Sequence, residues 1–195
     1  MRFDLNKVTR AIALAFHEVH TDNAANPYRD DILACFGLQS EVFELVDGAQ
    51  RWRVDPRYKM RRDYQRFDEA WNGRFAELIR ARVLPEVDKC FAFRATGFEA
   101  FKLSRYDADQ GGYHRPHRDN VSADVHHRRF AMSINLNSGD YEGGALRFPE
   151  YGPELYQPPK GGAVVFSCSM LHEAMPVTRG RRYVFLTFFD ESMAR

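Results

Sequence analysis

From Phe91 onward the apolar periodicity of this chain is two, and Gly, Pro, Asn and Asp clusters interrupt it again and again. Eight short runs rich in Phe, Tyr, Val and Ile result: 99–106, 112–118, 129–137, 145–149, 154–157, 163–167, 170–175 and 181–190. Eight short strands at this spacing predict a two-sheet jelly roll, with helices covering the outer face of one sheet. Residues 1–92 have the other period. Leu5, Val8, Ile12, Ala15 and Phe16 fall near one helical face, and a second helix is predicted from about Tyr28. A third is predicted over 61–82, with Tyr64, Phe67, Ala70, Trp71, Phe75, Leu78 and Ile79 as its apolar stripe and Pro85 ending or kinking it. The expected fold is therefore α+β. A mainly helical region, 1–92, buttresses a jelly-roll core, 93–195, and the 195 residues form one compact domain with a real core.

Within that frame three side chains suggest a metal centre. His117 and Asp119 lie two apart in Tyr113-His-Arg-Pro-His-Arg-Asp-Asn120, and strand alternation points them the same way. His172 follows in Leu171-His-Glu-Ala-Met-Pro-Val-Thr-Arg-Gly-Arg-Arg-Tyr183. Two imidazoles and one carboxylate on one face of a metal form the ligand set of non-heme Fe(II) oxygenases. A lone histidine is more often structural than ligating, and His-x-Asp recurs by chance, so the context has to carry the assignment. His114 could replace His117 as a ligand, but Pro116 rather than a carboxylate stands two residues on.

In that context, the chain resembles the prolyl 4-hydroxylase-like branch of the Fe(II)/2-oxoglutarate-dependent oxygenases. The matching residues are His117-Arg-Asp119, His172, Pro176-Val177 and Gly180-Arg-Arg182, preceded by Tyr106 and Gly111-Gly-Tyr113. Ala131-Met-Ser-Ile-Asn-Leu-Asn137 and Gly143-Gly-Ala-Leu-Arg-Phe148 fall in the same order as in the family, across residues 99 to 190. The resemblance implies a double-stranded β-helix (cupin-like) core, with Fe(II) held by His117, Asp119 and His172. It also implies 2-oxoglutarate and O2 as co-substrates, and allows ascorbate as a reductant. The distal carboxylate of 2-oxoglutarate needs a permanently charged, forked partner. Arg181 and Arg182 both sit on apolar strand faces, and only the family's Gly-x-Arg spacing selects Arg182, with Tyr106 adding a hydroxyl.

What the resemblance implies for the reaction is hydroxylation of an unactivated carbon, with a prolyl residue in a peptide or protein as the expected substrate. Tyr113 and Phe188 would wall its site, and the polar stretch 118–129, which includes His126 and His127, reads as a mobile loop over the mouth. Free amino acids or other small metabolites are the alternative substrates. A non-catalytic jelly-roll binding domain with a vestigial metal site is the alternative of a different class. Retention of all three ligands and the arginine favours the enzyme.

Charge narrows the partners. With 28 basic and 27 acidic residues the net charge is +1, unlike a protein built to hold polyanions. The stretch Arg51–Phe67 interleaves basic and aromatic residues, which suits base stacking but more often marks a solvated loop. Nothing after His172 matches the Arg-x-Asn/Ser-x-Thr-x-Arg pattern of the nucleic-acid demethylase branch, so no nucleic-acid partner is expected. Neither a signal-peptide core nor a membrane-length apolar run is visible. Cys35, Cys90 and Cys168 are odd in number and far apart, which suits a reducing cytoplasm and a ferrous site.

Overall fold

A computed structural model of the protein describes residues 58–65, 67 and 69–191; the helices expected over 3–17 and from 28 lie outside them. In chain order the first half contributes β1 (Lys59–Met60), β2 (Arg62–Tyr64), α1 (Glu69–Arg82), α2 (Leu84–Phe91), β3 (Gly97–Phe98), β4 (Lys102–Asp107) and β5 (Tyr113–His117). There follow β6 (Phe130–Asn135), β7 (Glu142–Gly143), β8 (Leu146–Arg147), β9 (Leu155–Tyr156), β10 (Ala163–Ser167), β11 (His172–Ala174), β12 (Val177–Arg179) and β13 (Arg181–Asp190). Each of the eight expected runs contains a strand, all in antiparallel ladders.

Two sheets face one another. One has the order β1-β5-β11-β8-β9; the other runs β10-β6-β13-β4-β2, with β3 on the end of β13, and β12 pairs with β7 apart from both. The long β13 organises the second sheet because its two faces serve two cores. Phe185 and Phe189 join Met132, Ile134 and Val165 under the helices, while Val184 joins Ala131, Val164, Phe166 and Leu146 between the sheets. The helices meet the sheet through Phe75, Ala76 and Ile79 of α1 and Val87 of α2, all buried. Pro85 stands in the first turn of α2, where its missing N–H costs nothing.

The segment before α1 differs from the expectation. The helix begins at Glu69 rather than 61, because Arg62-Asp63-Tyr64 pairs with Arg105-Ser104-Leu103 and Lys59-Met60 pairs with His114-Tyr113. A charged run has little local preference, and pairing with a waiting sheet edge decides its conformation.

Phe185 makes the centre of the outer core testable. Its ring lies 4.7 Å from Phe75 and 5.2 Å from Phe101, centroid to centroid, in a site 3% exposed. Phe185→Ala is expected to cost about 3–5 kcal/mol, transfer and cavity together. For a domain this size that lowers Tm by about 6–20 °C, read by thermal denaturation.

Candidate active site

Sheet pairing brings the three expected ligands together. β11 lies against β5 with His172 directly opposite His117, and the backbone N–H of Asp119, just past β5, donates to the Cys168 carbonyl at 3.0 Å. His117 Nε2 is 3.4 Å from Asp119 Oδ1, and His172 Nε2 is 3.3 Å from Asp119 Oδ2. All three donor atoms lie within 4.8 Å of one another. The far nitrogens fix the tautomers. His117 Nδ1 faces the Arg115 carbonyl at 2.7 Å and His172 Nδ1 faces the Met170 carbonyl at 3.0 Å, so each Nδ1 carries the hydrogen it donates. The Nε2 lone pairs then face the carboxylate.

Burial pushes the His172 imidazole below its usual range, so it is a neutral donor at neutral pH. Burial also works against ionisation of Asp119, but His117, His172 and Arg61 outweigh it and hold the carboxyl below its ordinary range. Two imidazole Nε2 atoms and a carboxylate converge on one point, where a cation between them would satisfy all three. The donor set and its carbonyl-anchored histidines fit a divalent metal of the Fe(II) type.

Across the cavity from this triad lies Arg182, 2% exposed. Its Nη2 donates to Asn135 Oδ1 at 3.0 Å, its guanidinium lies 5.2 Å from the Tyr106 ring, and its Nε has no partner among the described residues. A buried guanidinium that lines the cavity and has an N–H without a partner among the described residues fits the distal carboxylate of 2-oxoglutarate. Tyr106 is opposite Arg182 in the ladder, and its hydroxyl accepts from Arg61 Nη1 at 3.0 Å, leaving its own proton for a ligand. Arg181 points the other way. It is 62% exposed and its Nε pairs with Asp107 Oδ1 at 3.1 Å.

Close packing at Gly144 sets the position of Arg182. A Cβ there would fall 2.8 Å from Arg182 Cδ and 2.9 Å from Val177 Cγ2, at a φ of +67° that disfavours side chains. Gly144→Ala is expected to weaken 2-oxoglutarate binding by about 10²-fold, the effect of misplacing a positioning group by about 1 Å. Metal-dependent stabilisation should persist; a 2-oxoglutarate titration beside a metal-induced Tm shift separates the two.

Phe188 lines the cavity as expected, but Tyr113 does not. Strand alternation would place 113 with 117, yet Ala174 pairs with His114 while His172 pairs with His117, so β5 carries one residue more than β11 between them. The bulge turns His114 into the cavity, its ring centroid 3.5 Å from that of His117, and Tyr113 instead lies 4.6 Å under the Arg115 guanidinium. Burial, then the charge of Arg61, hold the His114 imidazole far below its ordinary range, so it is neutral.

The stretch 118–129 is tethered rather than free. Arg118 bonds the Ser169 carbonyl and reaches Glu150 at 2.5 Å; Arg128 grips Glu99 with two bonds of 2.5 and 2.7 Å and lies 3.9 Å over Phe188. His127 Nε2 also meets Glu99, at 3.0 Å, and the His126 ring bonds the Ala123 carbonyl, so neither reaches the triad. Cys168 is fully buried and burial raises its thiol, as in a packing residue.

Arg61 was not foreseen. It lines the cavity, with Nε and Nη2 on Asp63 and Nη1 on Tyr106. In Arg51–Phe67 it is one arginine among six, and nothing local marks the one that folds inward.

Comparison with known proteins bears on this arrangement. A family model described as the 2OG-Fe(II) oxygenase superfamily matches residues 101–190. The multifunctional procollagen lysine hydroxylase and glycosyltransferase LH3 of Rattus norvegicus is 31% identical over 126 residues, which is 62% of this chain and 16% of that protein. Procollagen-lysine,2-oxoglutarate 5-dioxygenase 1 of Mus musculus is 28% identical over 128 residues, 64% of this chain and again 16% of the relative. The chain thus spans about a sixth of these relatives. Among solved structures, a Pseudomonas putida prolyl-4-hydroxylase shares the fold at a TM-score of 0.59 and 20% identity, covering 98% of this chain and 89% of that one. A Trichoplax adhaerens prolyl hydroxylase, solved with a hypoxia inducible factor oxygen degradation domain peptide fragment, gives a TM-score of 0.57 at 14% identity, covering 96% and 90%.

Proposed function

We propose that the protein is an Fe(II)- and 2-oxoglutarate-dependent dioxygenase that hydroxylates a residue, most simply proline, in a peptide or protein; the match of residues 101–190 to the 2OG-Fe(II) oxygenase superfamily supports this reading. One observation carries the reading: two carbonyl-anchored imidazoles and a carboxylate converge across a cavity from a buried arginine with a spare donor. Fe(II), once bound, supplies the oxidising chemistry, in which O2 delivers one oxygen atom to the substrate carbon and one to the succinate formed by decarboxylation of 2-oxoglutarate.

The residues of this chain do the rest. His117, Asp119 and His172 would hold the metal, through two imidazole nitrogens and one carboxylate. Arg182 and the Tyr106 hydroxyl orient the distal carboxylate, while Phe188, Leu186 and Phe166 keep water from the reacting centre. A zinc hydrolase could use the triad but has no need of Arg182. The peptidyl assignment draws on the procollagen-lysine relatives and on the peptide-bound prolyl hydroxylase, which share its fold or part of its sequence. A reducing compartment, the cytoplasm, suits a ferrous centre and is part of the proposal. Among the described residues no helix is long and apolar enough to cross a membrane.

The test is substrate-stimulated succinate release. Protein reconstituted anaerobically with Fe(II) and exposed to O2, with ascorbate present, should convert 2-oxoglutarate slowly alone and faster with prolyl peptides. The panel needs lysyl peptides and free amino acids as well. Stimulation by free amino acids and by no peptide would overturn the peptidyl substrate; no succinate at all would leave a binding domain.

A further inference from the structure

The cavity wall beside the co-substrate pocket carries more positive charge than its neighbours can balance. Lys102, Ser104 and Tyr106 share one face of β4, and their ladder partners on β13 include Leu186 and Arg182, both in the cavity lining. Asp63, opposite Ser104 in the ladder, is the carboxylate among the cations Lys59, Arg61 and Lys102. Its oxygens are already engaged, by Arg61 at 2.9–3.2 Å, by the Ser104 hydroxyl at 2.5 Å and more loosely by Lys59 at 3.9 Å.

Lys102 is left over. It is half-buried, 6.0 Å from the Phe188 ring, and among the described residues its ammonium has neither an ion pair nor a hydrogen bond. Burial, then Arg61, Lys59 and Arg128, push it down to about 8, although Asp63 pulls upward. Arg128 is itself neutralised by Glu99. Arg61 has two N–H groups beyond those given to Asp63 and Tyr106. A half-buried ammonium with no partner among the described residues loses part of its water without compensation, and an anion brought against it would restore the balance. The co-substrate does not supply one under the reading above, since Arg182 takes one of its carboxylates and the metal the other.

We propose that Arg61, which lines the cavity, and Lys102, which lies beside the Leu186 and Phe188 part of its wall, form an anion subsite at the cavity's edge, and that the primary substrate presents a carboxylate to it beside the carbon to be hydroxylated. This rests on the reading of the site as a 2-oxoglutarate oxygenase. The carboxylate comes either from an acidic residue next to the target in a peptide or from the α-carboxyl group of a free amino acid. The two sources share the chemistry and differ in the assay.

The experiment uses the full chain loaded with Fe(II) and 2-oxoglutarate. Probes are blocked pentapeptides with proline flanked by Asp or Glu, their Asn or Gln isosteres, and L-proline against L-prolinamide. Binding is followed by anaerobic calorimetry and turnover by succinate release. The acidic member of one pair should bind and stimulate at least about tenfold better than its amide, and the pair that responds identifies the source of the carboxylate. Lys102→Met should shrink that advantage to within about threefold, and Lys102→Arg should keep it. Equal responses to acid and amide in the unaltered protein would overturn the subsite, whether or not Lys102→Met folds. An undiminished preference in folded Lys102→Met would overturn the assignment to Lys102. Preferential binding of acids with no succinate would instead sink the oxygenase reading and leave the subsite standing.

Discussion

His172→Ala and Asp119→Ala are each expected to lose 2-oxoglutarate turnover to background, and His172→Ala to lose metal-dependent stabilisation as well. At a divalent metal concentration about 100 times its Kd the unaltered protein gains about 2.7 kcal/mol by mass action, or about 5–10 °C in Tm. His172→Ala removes one of the two imidazoles whose Nδ1 hydrogens are tied to backbone carbonyls, leaving a single oriented nitrogen. Thermal melts with and without anaerobic Fe(II) read the metal; succinate formation reads the chemistry. Full metal-dependent stabilisation in His172→Ala would show that the site does not hold its metal there. The companion variant is His117→Ala. Because His114 stacks on His117 at 3.5 Å, retained stabilisation in His117→Ala would transfer the ligand role to His114.

Arg182→Ala is expected to raise the 2-oxoglutarate requirement by roughly 30- to 4000-fold, the equivalent of about 2–5 kcal/mol for truncating one partner of a buried charge pair. Metal-dependent stabilisation should survive, because Arg182 belongs to the opposite wall of the cavity. Arg181→Ala provides the contrast. Its side chain is 62% exposed, and the buried Asp107 it pairs with keeps Arg105 at 2.9 Å when Arg181 is removed, so 2-oxoglutarate affinity should hardly move. Titrating 2-oxoglutarate against both variants in one assay decides the matter. A larger effect at Arg181 would mean that β13 presents its other face to the co-substrate.

Legibility of the site varied with the distance over which its information is written. His117 and Asp119 are two apart on one short segment and could be read directly, whereas Arg182 was singled out only by the Gly180-Arg-Arg182 spacing of the family it resembles. Tyr113 was misplaced by the same local rule. Alternation assumes an unbroken ladder, and the extra residue in β5 between His114 and His117 is visible only when β11 is laid against it. The choice between Arg181 and Arg182 was open to alternation for a related reason: both faces of β13 are apolar because one meets the helices and the other the opposite sheet.

The sequence by itself determined the period-two core, its eight runs, the helical stripe around Phe75 and Ile79, and the His117-Arg-Asp119 pair with its spacing. Each of these depends on neighbours within one or two turns of chain. Only the tertiary structure decided that Lys59–Tyr64 forms edge strands instead of a helix start, and that Arg61 reaches Tyr106, forty-five residues away. It also decided that Lys102 has no ion pair among the described residues, and that Arg128 and Glu99 fasten the loop after Asp119. The physical reason is that a buried cation and a solvated one are the same letter in a sequence. Which of them loses its water depends on what the sheet brings against it.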